Sequence, residues 1–250
     1  MENAIDLLLK YSLRSLPALV IGLLFILTAG RKQFVLRLLS YILLFILLRD
    51  VMTPLKVWRF GSEGLFWLRM VEEPVFMLLL SAMCIGIILL VLKLDHDAQQ
   101  VYVLRKGSIL SVIGTGLLGA AAVTVPMMIV YQFVPIAERG GNVSRDALLL
   151  GSLALFCLCV NFLEESVYRG FFQGYLEGPF SPLRAGILSG ILFGFSHTFL
   201  ALSVSDAGWG LIAFTTFEGI VAGIVRSRAG VLASTITHGL AIFALCSGLV

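Results

Sequence analysis

Apolar runs long enough to cross a lipid bilayer recur along the whole chain, and they constrain its fold more than any other feature. A membrane-spanning helix needs about 20 consecutive, mainly apolar residues. The 250 residues are 59% hydrophobic and only 13% charged. We therefore expect an all-α, polytopic transmembrane helical bundle of about eight spans, at roughly 13–30, 33–49, 74–93, 108–134, 147–176, 182–204, 208–225 and 229–249.

The composition excludes several classes of protein. A mean hydropathy of +1.00 is not that of a soluble globular chain. The formal net charge of +3, without a Lys/Arg-rich cluster, gives no reason to expect a nucleic-acid partner. The cysteines lie in apolar runs without C-x-x-C spacing, which favours small buried side chains over a metal or redox site. We expect an integral, multi-pass protein of a prokaryotic cell (plasma or inner) membrane, surrounded by lipid.

The two halves of the chain differ in their intramembrane polar residues. Residues 1–146 hold four spans and a segment at 50–73 that mixes charged residues with tryptophans, a pattern typical of a membrane interface. A tight turn at Arg31 and Lys32 separates the first two spans. Residues 147–250 hold four spans that acidic and basic side chains interrupt repeatedly. We interpret residues 1–250 as a single membrane domain whose second half carries the chemistry.

Two adjacent carboxylates, Glu164 and Glu165, end the apolar run of the fifth span. A charge at the centre of a membrane helix costs about 2.5–3.5 kcal/mol, so such a pair usually has a use. Glu165 and Arg169 have the i,i+4 spacing and order that favour an ion pair. Glu164 points about 100° away around the helix, toward the bundle interior, where it could act as a general base. The alternative is that both acids only pair with Arg169.

A histidine lies well inside the sixth span, in the sequence Phe193-Gly-Phe-Ser-His197. A neutral intramembrane histidine can simply hydrogen-bond a neighbouring helix. Gly186, Gly190 and Gly194 recur beside it at four-residue spacing, a ridge of small residues that lets another helix approach closely. Close packing of this kind can position a base or a ligand accurately.

His238 occupies the middle of the last span. Ser234 and Gly230 fall on the same face of that helix, which indicates close packing there. Together with the carboxylates and His197, it places polar residues in consecutive spans of one half, which favours a shared site. Glu218, beside Gly219 on the seventh span, is a secondary candidate that could equally serve helix packing.

These residues resemble the motifs of the CPBP family, the CAAX-processing and bacteriocin-processing intramembrane proteases related to Rce1. The resemblance consists of Glu164-Glu165-x-x-x-Arg169, then Phe193-x-x-x-His197, then His238, and it covers about residues 147–250 as a four-helix catalytic core. The family's last motif usually has Asn or Asp four residues after its histidine, where this chain has Ile242. His238 would then act alone or with another donor, such as Asn161 or Ser234.

The resemblance implies hydrolysis of a peptide bond within the membrane. Glu164 and His197 would activate a water molecule, and His238 would donate a hydrogen bond to the oxyanion. Glu165, Arg169 and Phe193 would support this catalytic set. A zinc-dependent version would use Glu164, His197 and His238 as ligands. We favour the reaction without a cofactor, because no H-E-x-x-H pair is present and a Glu–His separation across helices needs no metal.

Two other classes of function remain open. A non-catalytic family member, acting as an immunity or scaffold protein that binds a membrane peptide, would be consistent with Ile242. A proton-coupled carrier could also use buried Glu and His residues, but it predicts inverted repeats that the sequence does not show clearly. For a protease, the family implies a membrane-anchored or lipidated protein or peptide as the substrate.

Overall fold

The structure, a computed structural model, describes residues 4–29, 33–61, 67–133, 146–205 and 207–248. Ten α-helices and one β-hairpin are present in these ranges. The elements are α1 (Ala4–Ala29), α2 (Phe34–Asp50), β1 (Trp58–Gly61), β2 (Trp67–Met70), α3 (Pro74–Leu94), α4 (His96–Val101), α5 (Ile109–Tyr131), α6 (Ala147–Glu165), α7 (Gln173–Leu176), α8 (Pro182–Phe195), α9 (Gly208–Ala229) and α10 (Val231–Cys246). Two short π-helical segments, Ser166–Phe172 and Leu200–Val204, follow α6 and α8.

The predicted all-α, multi-pass bundle is confirmed. In the described part of the chain, six helical stretches are long and apolar enough to cross a membrane: Ala4–Ala29, Pro74–Leu94, Ile109–Tyr131, Ala147–Leu176, Pro182–Val204 and Gly208–Ala229. The second and eighth predicted spans are also helices, but they have only 17 and 16 residues. The turn predicted at Arg31 and Lys32 lies outside the described residues.

Recognisable end signals set several helix boundaries. Pro74 and Pro182 occupy the first turns of α3 and α8, where a missing N–H costs nothing. The Asp146 side chain accepts a hydrogen bond from the Leu149 amide at 3.0 Å and caps α6. Ser108 caps α5 in the same way. Local residue patterns therefore mark where these helices begin.

The segment predicted to lie at the interface contains a β-hairpin that the sequence pattern did not predict. β1 and β2 pair antiparallel, with Trp58 opposite Met70 and Gly61 opposite Trp67. The buried Arg69 side chain donates a hydrogen bond to the Leu245 carbonyl at 2.8 Å, which ties the hairpin to the end of α10. Placement of this segment at a membrane interface remains a prediction.

The glycine ridge of α8 packs directly against α9. A Cβ atom at Gly190 would lie 2.5 Å from the backbone nitrogen of Ile220, and one at Gly186 would lie 3.0 Å from the Gly223 backbone. The predicted close approach is therefore confirmed, with α9 as the partner helix. The same contact brings Phe193 of α8 next to Gly219 of α9, so the ridge fixes the elements that carry the candidate site.

The junction between α9 and α10 is a sharp reversal at Gly230. Its φ of 90° is disfavoured for residues with a side chain, and a Cβ there would lie 2.7 Å from the backbone of Arg105. The extended chain after α4 runs alongside: the amides of Val231 and Leu232 donate to the carbonyls of Val103 and Leu104 at 3.0 Å. Two otherwise unpaired amides in the first turn of α10 are satisfied in this way.

Arg37, the main charged exception within the first four spans, pairs with the polar segment after α3. Its guanidinium donates to Asp95 at 2.8 and 3.0 Å and to Asp97 at 2.5 Å. Tyr41 also donates to Asp95, at 2.7 Å. Burial acts to raise the pKa of Asp95, but hydrogen bonds from Arg37, Tyr41 and the Ala98 amide hold it below its ordinary value. This cluster explains the charge in α2 without any catalytic role.

Candidate functional site

The paired carboxylates end α6 where the helix changes its winding. Glu164 and Glu165 are the last two residues of α6, and the π-helical segment Ser166–Phe172 continues the chain into α7. A π-helical turn inside a longer helix is uncommon and is frequently found at functional sites. Both carboxylates are buried, Glu165 completely, so their partners decide what each can do.

Glu165 is engaged by two basic side chains. Its Oε1 atom lies 2.9 Å from Arg169 Nη1 and 2.9 Å from His238 Nδ1. The ion pair predicted from the i,i+4 spacing is therefore present. Arg169 is fully buried as well, and it donates a further hydrogen bond to the Gly219 carbonyl at 2.9 Å. Glu165 thus connects α6 to α10, and Arg169 connects the π-helical segment to α9.

Glu164 makes looser contacts. Its Oε2 atom lies 3.9 Å from His238 Nε2, and its Oε1 atom lies 3.8 Å from Arg49 Nη1. Among the described residues, Oε1 is buried without a hydrogen-bond donor. Within these residues both acids have one oxygen without a hydrogen-bond donor, but they differ in their contacts: Glu165 has two partners at 2.9 Å, whereas those of Glu164 lie at 3.8 and 3.9 Å.

His197 does not contact Glu164 by a direct hydrogen bond in the described part of the chain. Its Nδ1 lies 2.8 Å from the Phe193 carbonyl, which can only accept, so Nδ1 carries the hydrogen. We infer from this assignment that Nε2 is the accepting nitrogen, and Arg49 Nη1 lies 2.9 Å from it. His197 therefore reaches Glu164 through the guanidinium group of Arg49.

Sequence reasoning did not identify Arg49 as part of this site. The residue lies at the end of α2, next to the segment at 50–73 that was predicted to be interfacial. It is buried, donates to Asp50 at 2.8 Å, and donates to the Ser196 carbonyl at 2.8 Å. The adjacent Arg49-Asp50 pair at the end of an apolar run was a signal of a buried ion pair, but no spacing rule connects it to residues of α8.

Phe193 packs among the charged and aromatic groups of the site. Arg169 Cζ lies 4.3 Å from the centre of its ring, within the range of a cation–π contact. The ring also meets His238 edge-on, with 5.4 Å between centres, and lies 4.7 Å from the His197 ring. Phe193 thereby separates the two histidines and holds both in place.

Glu218 of α9 completes the cluster. Its Oε2 atom lies 3.5 Å from His238 Nε2, and the residue is 1% exposed. Within the described ranges, neither of its carboxylate oxygens has a hydrogen-bond donor. The structure thus brings Glu164, Glu165 and Glu218 around the imidazole of His238. From the sequence, Glu218 was only a secondary candidate for this cluster.

A cavity of about 90 Å³ adjoins this cluster. Side chains of Arg49, Glu164, His197, Glu218 and His238 line its polar part. Aromatic and aliphatic residues line the remainder, including the hairpin residues Trp58, Phe60, Leu68 and Met70. The space is larger than a single water molecule needs, and its polar lining groups are the partners that water requires.

Most of the cluster lies in a segment that is similar to a known protein family. Residues 146–244, less than half of the chain, match the model described as type II CAAX prenyl endopeptidase Rce1-like. The predicted resemblance to the CPBP family is confirmed over this segment, and it suggests a CAAX-type protease embedded in the membrane. Neither the curated proteins nor the solved structures contain a significant match to the chain.

The Rce1-like segment departs from its family pattern at Ile242, which lines the cavity. Asn161, three residues before Glu164, lines it as well. The Asn161 amide donates to the Cys157 carbonyl of its own helix at 2.6 Å. Ser234, the other proposed donor, bonds the Val231 carbonyl at 3.0 Å. Of the two candidates named from the sequence, Asn161 therefore belongs to the cavity wall.

The Rce1-like site does not fit the zinc alternative. Within the described residues, no three His, Cys, Asp or Glu side chains are arranged to hold a metal ion. Zinc would need the lone pair of His197 Nε2, which faces the positively charged Arg49 at 2.9 Å. We therefore derive no catalytic step that uses a metal.

Proposed function

We propose that this protein is an intramembrane endopeptidase that hydrolyses a peptide bond of a membrane-associated or lipidated protein. The observation that carries the proposal is the difference between the two adjacent acids. Glu165 contacts Arg169 and His238 at 2.9 Å, whereas Glu164 lies 3.8 Å from Arg49 and 3.9 Å from His238 and lines a cavity large enough for water. A buried carboxylate beside water is what general-base catalysis requires.

Glu164 is the general base in this proposal. It removes a proton from a water molecule as the water oxygen attacks the scissile carbonyl carbon. Between the two residues that the sequence suggested for this step, Glu164 is the better base, because the accepting nitrogen of His197 faces Arg49 at 2.9 Å. His197 contributes by holding Arg49, whose positive charge lies 3.8 Å from the Glu164 carboxylate.

His238 stabilises the oxyanion of the tetrahedral intermediate. In this role His238 is an imidazolium with a hydrogen on each ring nitrogen: Nδ1 donates to Glu165, which fixes the orientation of the ring, and Nε2 donates to the oxyanion. Loss of one oxyanion donor typically costs about 3–4 kcal/mol of transition-state stabilisation. Asn161 provides an amide on the same cavity wall, where the family pattern would have Asn or Asp in place of Ile242. Arg169 and Phe193 support the arrangement.

The substrate class follows from the family and the shape of the cavity. The family description names CAAX prenyl endopeptidases, and most of the cavity lining is apolar. We propose that a prenylated or otherwise membrane-anchored chain places its scissile bond at the polar end. The hairpin residues Trp58 and Phe60 line the apolar part, and the side chains or lipid next to the scissile bond would lie beside it.

Proteoliposomes containing the purified full-length chain provide the test. The probes are a quenched-fluorescent farnesylated CAAX peptide, its unlipidated form and a single-span membrane-anchored peptide. Glu164→Gln preserves shape and removes the base, so we expect cleavage to fall by about 10²–10⁴-fold. Glu72→Gln, at an exposed acid outside the site, is the matched control and should retain full activity. Normal cleavage by Glu164→Gln would contradict the proposal.

The non-catalytic alternative has one observation in its favour, the presence of Ile242 in the cavity. A scaffold or immunity protein would bind a membrane peptide through this cavity without cleaving it. The same proteoliposomes separate the two functions. Binding of the probes without cleavage, and unaffected by Glu164→Gln or His197→Ala, would support the scaffold and reject the protease.

A further inference from the structure

Glu218 is a buried acid that is neither the general base nor the oxyanion donor of the proposed reaction. It projects from α9, is 1% exposed and lines the same cavity as Glu164. In the part of the chain that the structure describes, both of its carboxylate oxygens are buried without a hydrogen-bond donor. A carboxylate without donors is costly in an apolar interior, and a structural carboxylate normally has them. Glu218 therefore has the surroundings of a reactive group.

The imidazole of His238 lies between Glu218 and Glu164. Its Nε2 atom is 3.5 Å from Glu218 Oε2 and 3.9 Å from Glu164 Oε2. Its other nitrogen, Nδ1, is occupied by Glu165. Two carboxylates thus face one ring nitrogen at the cavity wall, and neither is held by the close ion pair that fixes Glu165.

In the described part of the chain, neither nearby guanidinium group bonds Glu218. The guanidinium of Arg169 bonds Glu165 and the Gly219 carbonyl, and that of Arg49 bonds Asp50 and the Ser196 carbonyl. A site with two carboxylates and few counter-charges is suited to a division of labour in which one takes a proton and the other gives one. Paired-carboxylate hydrolases divide acid and base roles in this manner.

We propose that Glu218 is the general acid of the reaction, the residue that protonates the leaving amine nitrogen. This inference rests on the proposed protease function and assigns a catalytic residue beyond the motifs of the sequence resemblance. Hydrolysis of an amide needs such a group, because an amine anion is a very poor leaving group and must gain a proton as the C–N bond breaks.

The proton balance closes within the cluster. Glu164 takes one proton from water, and the remaining hydroxyl forms a bond to the carbonyl carbon. When the tetrahedral intermediate collapses, the C–N bond breaks and its electron pair accepts the proton of the Glu218 carboxylic acid. The products are a carboxylic acid and an amine. The proton held by Glu164 then returns to Glu218 through His238 Nε2, which faces both groups.

A change of leaving group tests this role. The probes are the quenched-fluorescent farnesylated CAAX peptide and its thioester analogue, in which sulfur replaces the scissile N–H. A thiolate, with a thiol pKa of about 8.5, leaves without prior protonation. For Glu218→Gln, we expect cleavage of the peptide to fall by about 10²–10⁴-fold. Cleavage of the thioester should change by less than about 3-fold, because the base and the oxyanion donor are intact.

The outcomes distinguish this inference from the function on which it rests. Glu164→Gln should impair both probes, since both reactions need activated water. Equal losses on both probes in Glu218→Gln, or no loss on either, would overturn the general-acid role while the protease function stands. No cleavage of either probe by the wild-type protein would overturn both. Glu218→Asp, which retains an acid at a shorter reach, provides a second variant. Its cleavage of the peptide should fall while its cleavage of the thioester is retained. Equal losses on the two probes in this variant would refute the assignment.

Discussion

Arg49 Nη1 lies 2.9 Å from His197 Nε2, and the two residues are 148 positions apart in the chain. This contact joins the end of α2, outside the segment that matches the family, to the turn that follows α8, within that segment. The same guanidinium lies 3.8 Å from Glu164. The N-terminal half is therefore part of the site and not only a group of membrane helices beside it.

Replacement of Arg49 should reduce hydrolysis without abolishing binding. Arg49→Ala removes the group that holds His197 and lies beside Glu164, and misplacement of a reacting group by about 1 Å can cost 10²-fold in rate. We therefore expect kcat to fall and KM to remain unchanged. Arg49→Lys keeps the charge but not the planar fork of donors, so its activity should be intermediate. Arg59→Ala, on the exposed side of the hairpin, is the control, and an equal loss there would argue against a specific role for Arg49.

Glu165 and Arg169 should behave as one structural unit. Removing either partner of a fully buried ion pair leaves an unpaired charge and costs about 3–5 kcal/mol of unfolding free energy. We therefore expect Glu165→Gln and Arg169→Gln each to lower stability, measured by denaturant titration in mixed micelles. The double variant should lose less unfolding free energy than the sum of the losses in the two single variants. Strictly additive losses would show that the pair is not coupled.

The Asp95 cluster predicts an acid-sensitive contribution to stability. The pKa of Asp95 in the folded state is lowered by Arg37, Tyr41 and the Ala98 amide. Its stabilisation is therefore complete above the unfolded value of about 3.9 and is lost as the pH falls through the folded value. Asp95→Asn should lower the unfolding free energy by about 1.5–3 kcal/mol at neutral pH. The difference in unfolding free energy between Asp95→Asn and the wild type should become smaller below about pH 4. The control, Glu72→Gln, should have the same unfolding free energy as the wild type throughout the titration.

Zinc should be dispensable for the reaction. Arg49 faces the accepting nitrogen of His197, and among the described residues no three His, Cys, Asp or Glu side chains are arranged to hold a metal ion. We expect elemental analysis of the active, purified protein to find far less than one zinc per chain. Treatment with 1,10-phenanthroline should leave cleavage of the farnesylated peptide unchanged. One zinc per active chain, with activity lost on chelation and restored by zinc, would reject the metal-free reaction.

Local sequence rules were sufficient for much of the fold. The hydropathy pattern located the spans because lipid selects for long apolar helices regardless of what each helix packs against. The four-residue glycine spacing in α8 predicted a close helix partner, and the i,i+4 spacing predicted the pair of Glu165 with Arg169. The hairpin at 58–70 was not predicted, because its strands are only four residues long and their pairing depends on contacts such as Arg69 with the end of α10.

The sequence by itself determined the membrane class, the family resemblance and the set of polar residues that merit attention. It separated Glu165, which has a partner one turn away, from Glu164, which has none in its own helix. Only the tertiary structure decided which groups surround Glu164, because helix spacing relates residues within one helix and says nothing about distances between helices. Packing of α2, α9 and α10 against α6 and α8 brought Arg49 and Glu218 to His197 and His238, and no local pattern encodes that convergence.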